Sequence, residues 1–193
     1  MKIIEFRFLS KNDKSNLSDY DDGSAWSRLY EYHLIEEFMK NNLNNDSTVH
    51  NSAWGFEGVH ITFRNKIDKL YNCLHSDVVN NKYNLETYKY NLLTEDKNLE
   101  EKFDCVLNIS VLEHLPGGFE GCKKALLNLY KQVKKGGYLI CSFDYPRVKL
   151  QELESMLGVK CEDVKDRLDG KNSLLVNKNY KHLNIVLLIV QKQ

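Results

Sequence analysis

Apolar and polar positions alternate in two rhythms along this chain. The switch between them is clearest from Phe103 to Tyr145. Cys105-Val106-Leu107-Asn108-Ile109 is a short apolar run with the length and β-branched content of a buried parallel strand. A Pro-Gly-Gly loop follows at 116–118. From Gly121 the apolar period lengthens to about 3.6, placing Cys122, Ala125, Leu126, Leu129, Tyr130 and Val133 on one helical face. Lys134 and Lys135 suit the last turn of that helix, and Gly136-Gly137 supplies a left-handed stop. Tyr138–Phe143 is a second buried strand. Strand, loop, helix, turn and strand make half of a doubly wound α/β sheet.

The remaining segments extend this pattern. Residues 1–10 form a short strand or an extended arm, and Lys11–Gly23 is a polar loop. A helix is predicted from Ser24 to about Met39, with Trp26, Leu29, Tyr30, His33, Leu34 and Phe38 as its apolar face. Ser47–Ala53 is the first strand of the sheet core, assigned by its place between two helices because it is unusually polar. A helix opens at Val59 with Phe63, Ile67 and Leu70 on one face. Asn72–Asp77 is a second strand and Tyr88–Leu93 a third, with a polar helix or loop at 80–89 between them. After the Phe103–Phe143 unit come a helix at Val148–Leu157, stopped by Gly158, and a sixth strand at Val159–Val164. Asp166–His182 reads as a long loop or partial helix, and Asn184–Gln191 as the last strand.

Composition narrows the functional classes. With 193 residues the chain is one domain, divided into an N-terminal arm and lid helix at 1–46 and a sheet core at 47–193. The formal net charge is zero and there is no basic block, so nucleic acid is not an expected partner. None of the five cysteines makes a CxxC pair, and His50, His60 and His75 have no recognisable metal spacing, so no metal is expected. An odd cysteine count, with Cys105 and Cys141 in apolar strands, indicates a reduced, cytoplasmic protein. MKIIEFRFL is interrupted by Glu5 and Arg7 and lacks a signal-peptide core, while the longest apolar run, Ile185–Val190, is too short to span a bilayer. A monomer and a homodimer remain open.

Candidate chemistry lies at the carboxyl ends of the strands, where open α/β sheets bind ligands. Ala53-Trp54-Gly55-Phe56-Glu57-Gly58 is A-x-G-x-x-G, a variant of the glycine-rich strand-to-helix turn with alanine at the first position. Asp77 ends the second strand, where a carboxylate can accept both hydrogen bonds from a ribose diol. Glu113, His114, Asp144 and Tyr145 are further polar groups at strand ends. His114 is the candidate base, its unperturbed pKa being near 6.5.

FDCVLNISVLEHL followed by KKGGYLICSFD resembles the fourth strand, following helix and fifth strand of class I S-adenosylmethionine (SAM) dependent methyltransferases. Lys135 stands where that family usually has proline, and the match covers about a quarter of the chain. The resemblance implies an α/β, doubly wound, mainly parallel seven-strand sheet, with the final strand, NIVLLIVQK, antiparallel. It implies SAM as cofactor and methyl transfer to a small-molecule acceptor. Asn51, Ser52, Ala53, Trp54 and Gly55 then form the cofactor turn, and Asp77 holds the ribose. Asn91-Leu92 meets the adenine where the family often has Asp-Leu, and Asn108-Ile109 lies at the end of the fourth strand. Arg28 pairs with the methionine carboxylate from a helix covering the mouth, together with Trp26, Tyr30 and Tyr32. WSRLYEY and WGFEG also resemble bacterial methyltransferases of surface-sugar pathways, which points to a sugar or sugar-derived acceptor. Two departures stand out: Asn51 replaces the family's acidic residue and Ala53 its first glycine. They keep open a non-catalytic relative; an NAD(P)-dependent oxidoreductase fits KKGG and VLEHL less well.

Overall fold

The computed structural model describes residues 1–10, 13, 20, 27–55, 58–79, 85–162 and 184–193. Seven strands form one sheet: β1 (Lys2–Phe8), β2 (Thr48–Ser52), β3 (Asn72–Asp77), β4 (Tyr88–Lys89), β5 (Phe103–Ile109), β6 (Val133–Tyr145) and β7 (Asn184–Gln191). Their order is β1-β7-β6-β5-β2-β3-β4. β2 through β6 pair in parallel, and β7 runs antiparallel to both β6 and β1. This is the expected doubly wound sheet with a reversed last strand.

Alternation along the central strands divides the core in two. Val106 of β5, Leu139, Cys141 and Phe143 of β6, and Val186, Leu188 and Val190 of β7 face α3 (Phe119–Gln132) and α4 (Leu150–Leu157). Cys105, Leu107, Ile140, Ile185, Leu187 and Ile189 face α1 (Arg28–Asn42) and α2 (Val59–Asp68). Such strands read as continuous apolar runs because both faces are covered. β2 is polar for a different reason. Its buried His50 meets Gln132 of α3 at 2.6 Å and Ser76 of β3 at 2.7 Å, and Ser52 donates to the Leu107 carbonyl at 2.6 Å. Burial pulls the His50 imidazole down to about 4, so it is a neutral linker between strand and helix.

Several expectations are corrected. Of the two alternatives for residues 1–10 the strand is found: β1 holds the edge beside β7. Of the expected sixth strand at Val159–Val164, the described residues 159–162 form no strand, only a single bridge from Glu162 to Arg7, and 163–164 lie outside the described residues. The third strand is shortened to Tyr88–Lys89. α3 ends at Gln132, and Lys134-Lys135-Gly136-Gly137 is already part of β6. There the register against β5 shifts, and Lys134 pairs with Asp104 at 2.8 Å. On α1 the buried residues are Arg28, Leu29, Tyr30, Glu31, Tyr32, Ile35 and Met39, while Leu34 and Phe38 are only partly buried. The expected helix start at Ser24, Trp26, and Asp166–His182 fall outside the described residues.

At Gly137 the β5–β6 pair leaves no room for a side chain. A Cβ there would stand 2.6 Å from the Asp104 carbonyl oxygen and 3.0 Å from Val133. Gly137→Ala is expected to cost about 1–3 kcal/mol, the usual cost of overpacking. Urea unfolding monitored by circular dichroism measures it.

Candidate functional site

The carboxyl ends of β2, β3, β5 and β6 form one rim, and most of the sequence-predicted residues meet there. After β2 the chain turns through Ala53 at φ 49° and Gly55 at φ 78°, and Gly58 at φ 51° precedes α2. The first position of the turn therefore uses the left-handed conformation even though it is alanine, which costs about 1 kcal/mol relative to glycine. Gly55 is packed by its own chain. A Cβ on it would lie 2.9 Å from the His60 ring. That imidazole is bonded through Nδ1 to the Tyr32 hydroxyl, and Tyr32 stacks on Phe63 with ring centroids 4.3 Å apart. Thus α1, α2 and the turn are packed as one unit.

Asp77 ends β3 and is 8% exposed. Burial pushes its carboxyl up, while the N–H groups of Val79, Val78 and Gly55 pull it down. The Val79 N–H donates at 3.2 Å. Asn51 and Trp54 are both buried and both contact His75. The Asn51 amide lies 3.3 Å from His75 Nδ1, and the Trp54 ring meets the imidazole edge-on at 6.0 Å. Arg64 lies over the other part of this cluster, 4.6 Å from the Trp54 ring centroid.

At the end of β5 the site becomes a polar network. Asn108 is fully buried and donates to Ser52 Oγ at 3.0 Å, and its Oδ1 has no partner among the described residues. Ile109 packs in the α1–α2 side of the core. Arg28 does not stand free at the mouth. It is buried and ion-paired with Glu31 at 2.5 Å. Glu31 is itself fully buried and accepts from Ser110 at 2.6 Å and from Ser142 at 2.5 Å. Burial would raise the Glu31 carboxyl, but the Arg28 charge and the serine hydroxyls outweigh it and hold it below the ordinary range. Nε of Arg28 has no partner among the described residues. This network was not foreseen, although one signal existed: Glu31 and Ser142 are polar residues within otherwise apolar stretches.

His114 and Glu113 divide differently from the expectation. His114 has a side chain 58% exposed, on the outside of the short 3-10 turn Leu112–His114. The Glu113 side chain is fully buried. One of its oxygens accepts from the Asp144 N–H at 3.3 Å, and the other has no partner. Burial first, then the charges of Asp144 and Glu31, push the Glu113 carboxyl up to about 7. Asn91 and Leu92 stand apart from this cluster. Asn91 is exposed and accepts the Leu93 N–H at 2.9 Å, while Leu92 is buried in the α3-side core.

No protein-family model and no curated protein matches the sequence. Solved structures match along nearly the whole chain. The 1,6-didemethyltoxoflavin N1-methyltransferase of Burkholderia thailandensis, bound to 1,6-didemethyltoxoflavin and S-adenosylhomocysteine, aligns at TM-score 0.58 with 15% identity, over 91% of this chain and 84% of that one. The N-methyltransferase NodS of Bradyrhizobium japonicum WM9, bound to S-adenosylhomocysteine, aligns at 0.55 with 13% identity, over 89% and 93%. The [4+2]-cyclase SpnF aligns at 0.59 with 13% identity, over 98% and 88%. The fold is that of class I SAM-dependent methyltransferases. Among the described residues, no helix is long and apolar enough to cross a membrane.

Glu113 gives a pH-dependent expectation. A carboxyl that titrates at 4.5 when unfolded and at about 7 when folded holds its proton better in the folded state. Its contribution to stability is complete below the unfolded value and is lost as pH rises through the folded one. Glu113→Gln removes this loss, so the variant should gain on wild type as pH rises from 5 to 8, by roughly 1–3 kcal/mol at about 1.4 kcal/mol per pKa unit. Urea midpoints at the two pH values measure the difference.

Proposed function

We propose that this protein binds SAM at the β2–β3 rim and transfers its methyl group to a small-molecule acceptor held at the β5–β6 rim. The observation that carries this reading is the pairing of the left-handed Ala53–Gly55 turn with the nearly buried Asp77 carboxylate, on a methyltransferase fold. The unpartnered polar atoms of Arg28, Asn108 and Glu113 fit the same reading, because buried polar groups are normally satisfied and a bound ligand can satisfy them. Asn51, Ser52, Ala53, Trp54 and Gly55 would line the cofactor turn, Asp77 would hold the ribose, and the exposed Asn91 would lie toward the adenine while Leu92 stays in the core. Arg28 serves by anchoring Glu31, with Nε left to meet an anionic or carbonyl group.

SAM, when bound, supplies an electrophilic methyl carbon on a sulfonium. The protein's task is to align an acceptor with it and to take a proton where the acceptor is a hydroxyl. Glu113 suits that second role better than His114, because its carboxyl faces inward and is about half ionised near neutral pH. We take a sugar or sugar-derived metabolite as the acceptor class, on the resemblance of WSRLYEY and WGFEG to methyltransferases of surface-sugar pathways. Cytoplasmic location accords with the reduced state expected of the five cysteines.

A second reading is a protein that keeps the fold without methyl transfer. The His60 ring against Gly55 favours it, since a ligand approaching that glycine must share space with the imidazole. SpnF, named as a [4+2]-cyclase, has a similar fold, so architecture does not decide the reaction.

Calorimetry with SAM, S-adenosylhomocysteine and NADH separates these readings. SAM should bind wild type, and Asp77→Ala should weaken it by tenfold to several hundredfold, as hydrogen bonds to a charged group are each worth roughly 1.5–3 kcal/mol. Asp77→Asn should lose less. Equal affinity of wild type and Asp77→Ala would remove the ribose role, and no binding to wild type would favour the second reading. With a hydroxyl acceptor, Glu113→Gln should lower kcat more than His114→Ala does.

A further inference from the structure

Three side chains of different chemistry meet on the flank of β3, away from the strand-end rim. Asp68 is the last residue of α2, and Cys73 and His75 lie on the same face of β3. One oxygen, one sulfur and one nitrogen from these residues all lie within 4.8 Å of one another. The sequence gives no hint of this, because the residues belong to two elements joined by a turn at Lys69–Tyr71. β4 pairs only with Ser76 and Asp77, so the earlier part of β3 has no neighbour on that side among the described residues. A cavity of about 350 Å³ opens there, lined by Arg64, Cys73, His75, Glu86, Tyr88 and Lys89 among others.

We propose that Asp68, Cys73 and His75 form a binding site for a divalent transition metal of the zinc class, with the fourth coordination position facing the cavity. A thiolate, an imidazole and a carboxylate are the ligand set that zinc accepts, whereas magnesium and calcium take oxygen ligands. Both ring nitrogens of His75 have partners: Nε2–H donates to Asp68, a bond the metal would replace, and Asn51 holds Nδ1. Its Nε2 faces Asp68 Oδ1 at 2.7 Å, and its Nδ1 faces the Asn51 amide at 3.3 Å. On metal binding the ring proton would move to Nδ1 and the Asn51 amide would turn so that its oxygen accepts from Nδ1–H, orienting the ring and fixing the tautomer that frees Nε2. Ligand atoms in a tetrahedral zinc site stand about 3.3 Å apart, so the His75–Asp68 pair needs to open by only about half an ångström.

The charge balance is favourable. A thiolate and a carboxylate neutralise the dication, so Arg64, whose Nε is 3.7 Å from Asp68 Oδ2, faces no net positive cluster. Binding releases the Cys73 thiol proton to solvent and shifts the His75 ring proton from Nε2, where it bonds Asp68, to Nδ1. Cys73 is also the accessible thiol of the chain: it is half-buried, while Cys105, Cys122, Cys141 and Cys161 are buried.

The test uses the full chain, stripped with a chelator and titrated with cobalt(II), then zinc(II). One equivalent of cobalt should produce a thiolate-to-metal charge-transfer band in the near ultraviolet, and zinc should abolish it by displacement. Cys73→Ser should eliminate the band and weaken zinc at least about a hundredfold, since even losing an outer partner of a ligand costs 10–100-fold. His75→Gln should weaken zinc by a comparable factor, with circular dichroism showing that both variants are folded. In wild type, one equivalent of zinc should protect Cys73 from alkylation. A folded wild type that gives no band, gains no protection, or binds zinc as tightly as Cys73→Ser would overturn the proposal. These readouts use the metal alone, so they stand or fall apart from SAM binding.

Discussion

Glu31 is a carboxylate with no exposure to solvent, and the arrangement of the β5–β6 rim follows from the need to satisfy it. An unpaired buried charge is costly enough that the group would give up its ionisation instead. Arg28 supplies the opposing charge one helical turn away, and Ser110 and Ser142 donate from the ends of β5 and β6. The four groups fasten α1 to two strands at the level where a ligand would enter. Burial, with the charges of Asp144 and Glu31 added to it, disfavours the Glu113 carboxyl as an anion, and so the two acids of the rim have opposite tendencies. Opposed carboxyl environments of this kind allow one fold to hold a fixed charge and a transferable proton side by side.

What the sequence disclosed depended on whether burial left a periodic trace. β5, β7 and α3 bury whole faces of apolar residues, and their rhythm predicts β5 and β7 nearly to the residue and α3 apart from its last turn. α1 is apolar on more than one side, so the periodicity alone favoured the face with Leu34 and Phe38. The selected face includes Arg28 and Glu31, and only partners from distant strands make that burial possible. β1 was ambiguous because an edge strand needs a neighbour to define it, and that neighbour, β7, lies at the other end of the chain. The glycine turn, Asp77, Asn108 and Ile109 were legible as positions. The inward turn of Glu113 in place of His114 was not, since adjacent residues on a short 3-10 turn point in different directions and spacing does not say which faces the protein.

The polar character of β2 and the two departures in its turn have related causes. His50 and Ser52 serve the face toward α3, where Gln132, Ser76 and Asn108 meet them. Asn51 serves the opposite face, where it meets His75. Alternation along one strand thus gives each side of the sheet its own polar contacts, in place of the apolar residues that a central strand usually carries. The cost of removing these groups from water is offset only because each finds a partner.

Asn51 then has a physical reason to be an amide. A carboxylate at this position would face an imidazole nitrogen that currently takes a proton donor, and His75 would have acids on both ring nitrogens. The amide instead passes the polarity of Asp68 through His75 to the start of the glycine turn. Trp54, the residue after Ala53, rests against the same imidazole and against Arg64. Asn51 and Trp54, on either side of the exit from β2, thus both touch the imidazole that bonds Asp68. The departure from the family pattern at Asn51 and the side-chain cluster on the flank of β3 are two ends of one hydrogen-bonded connection.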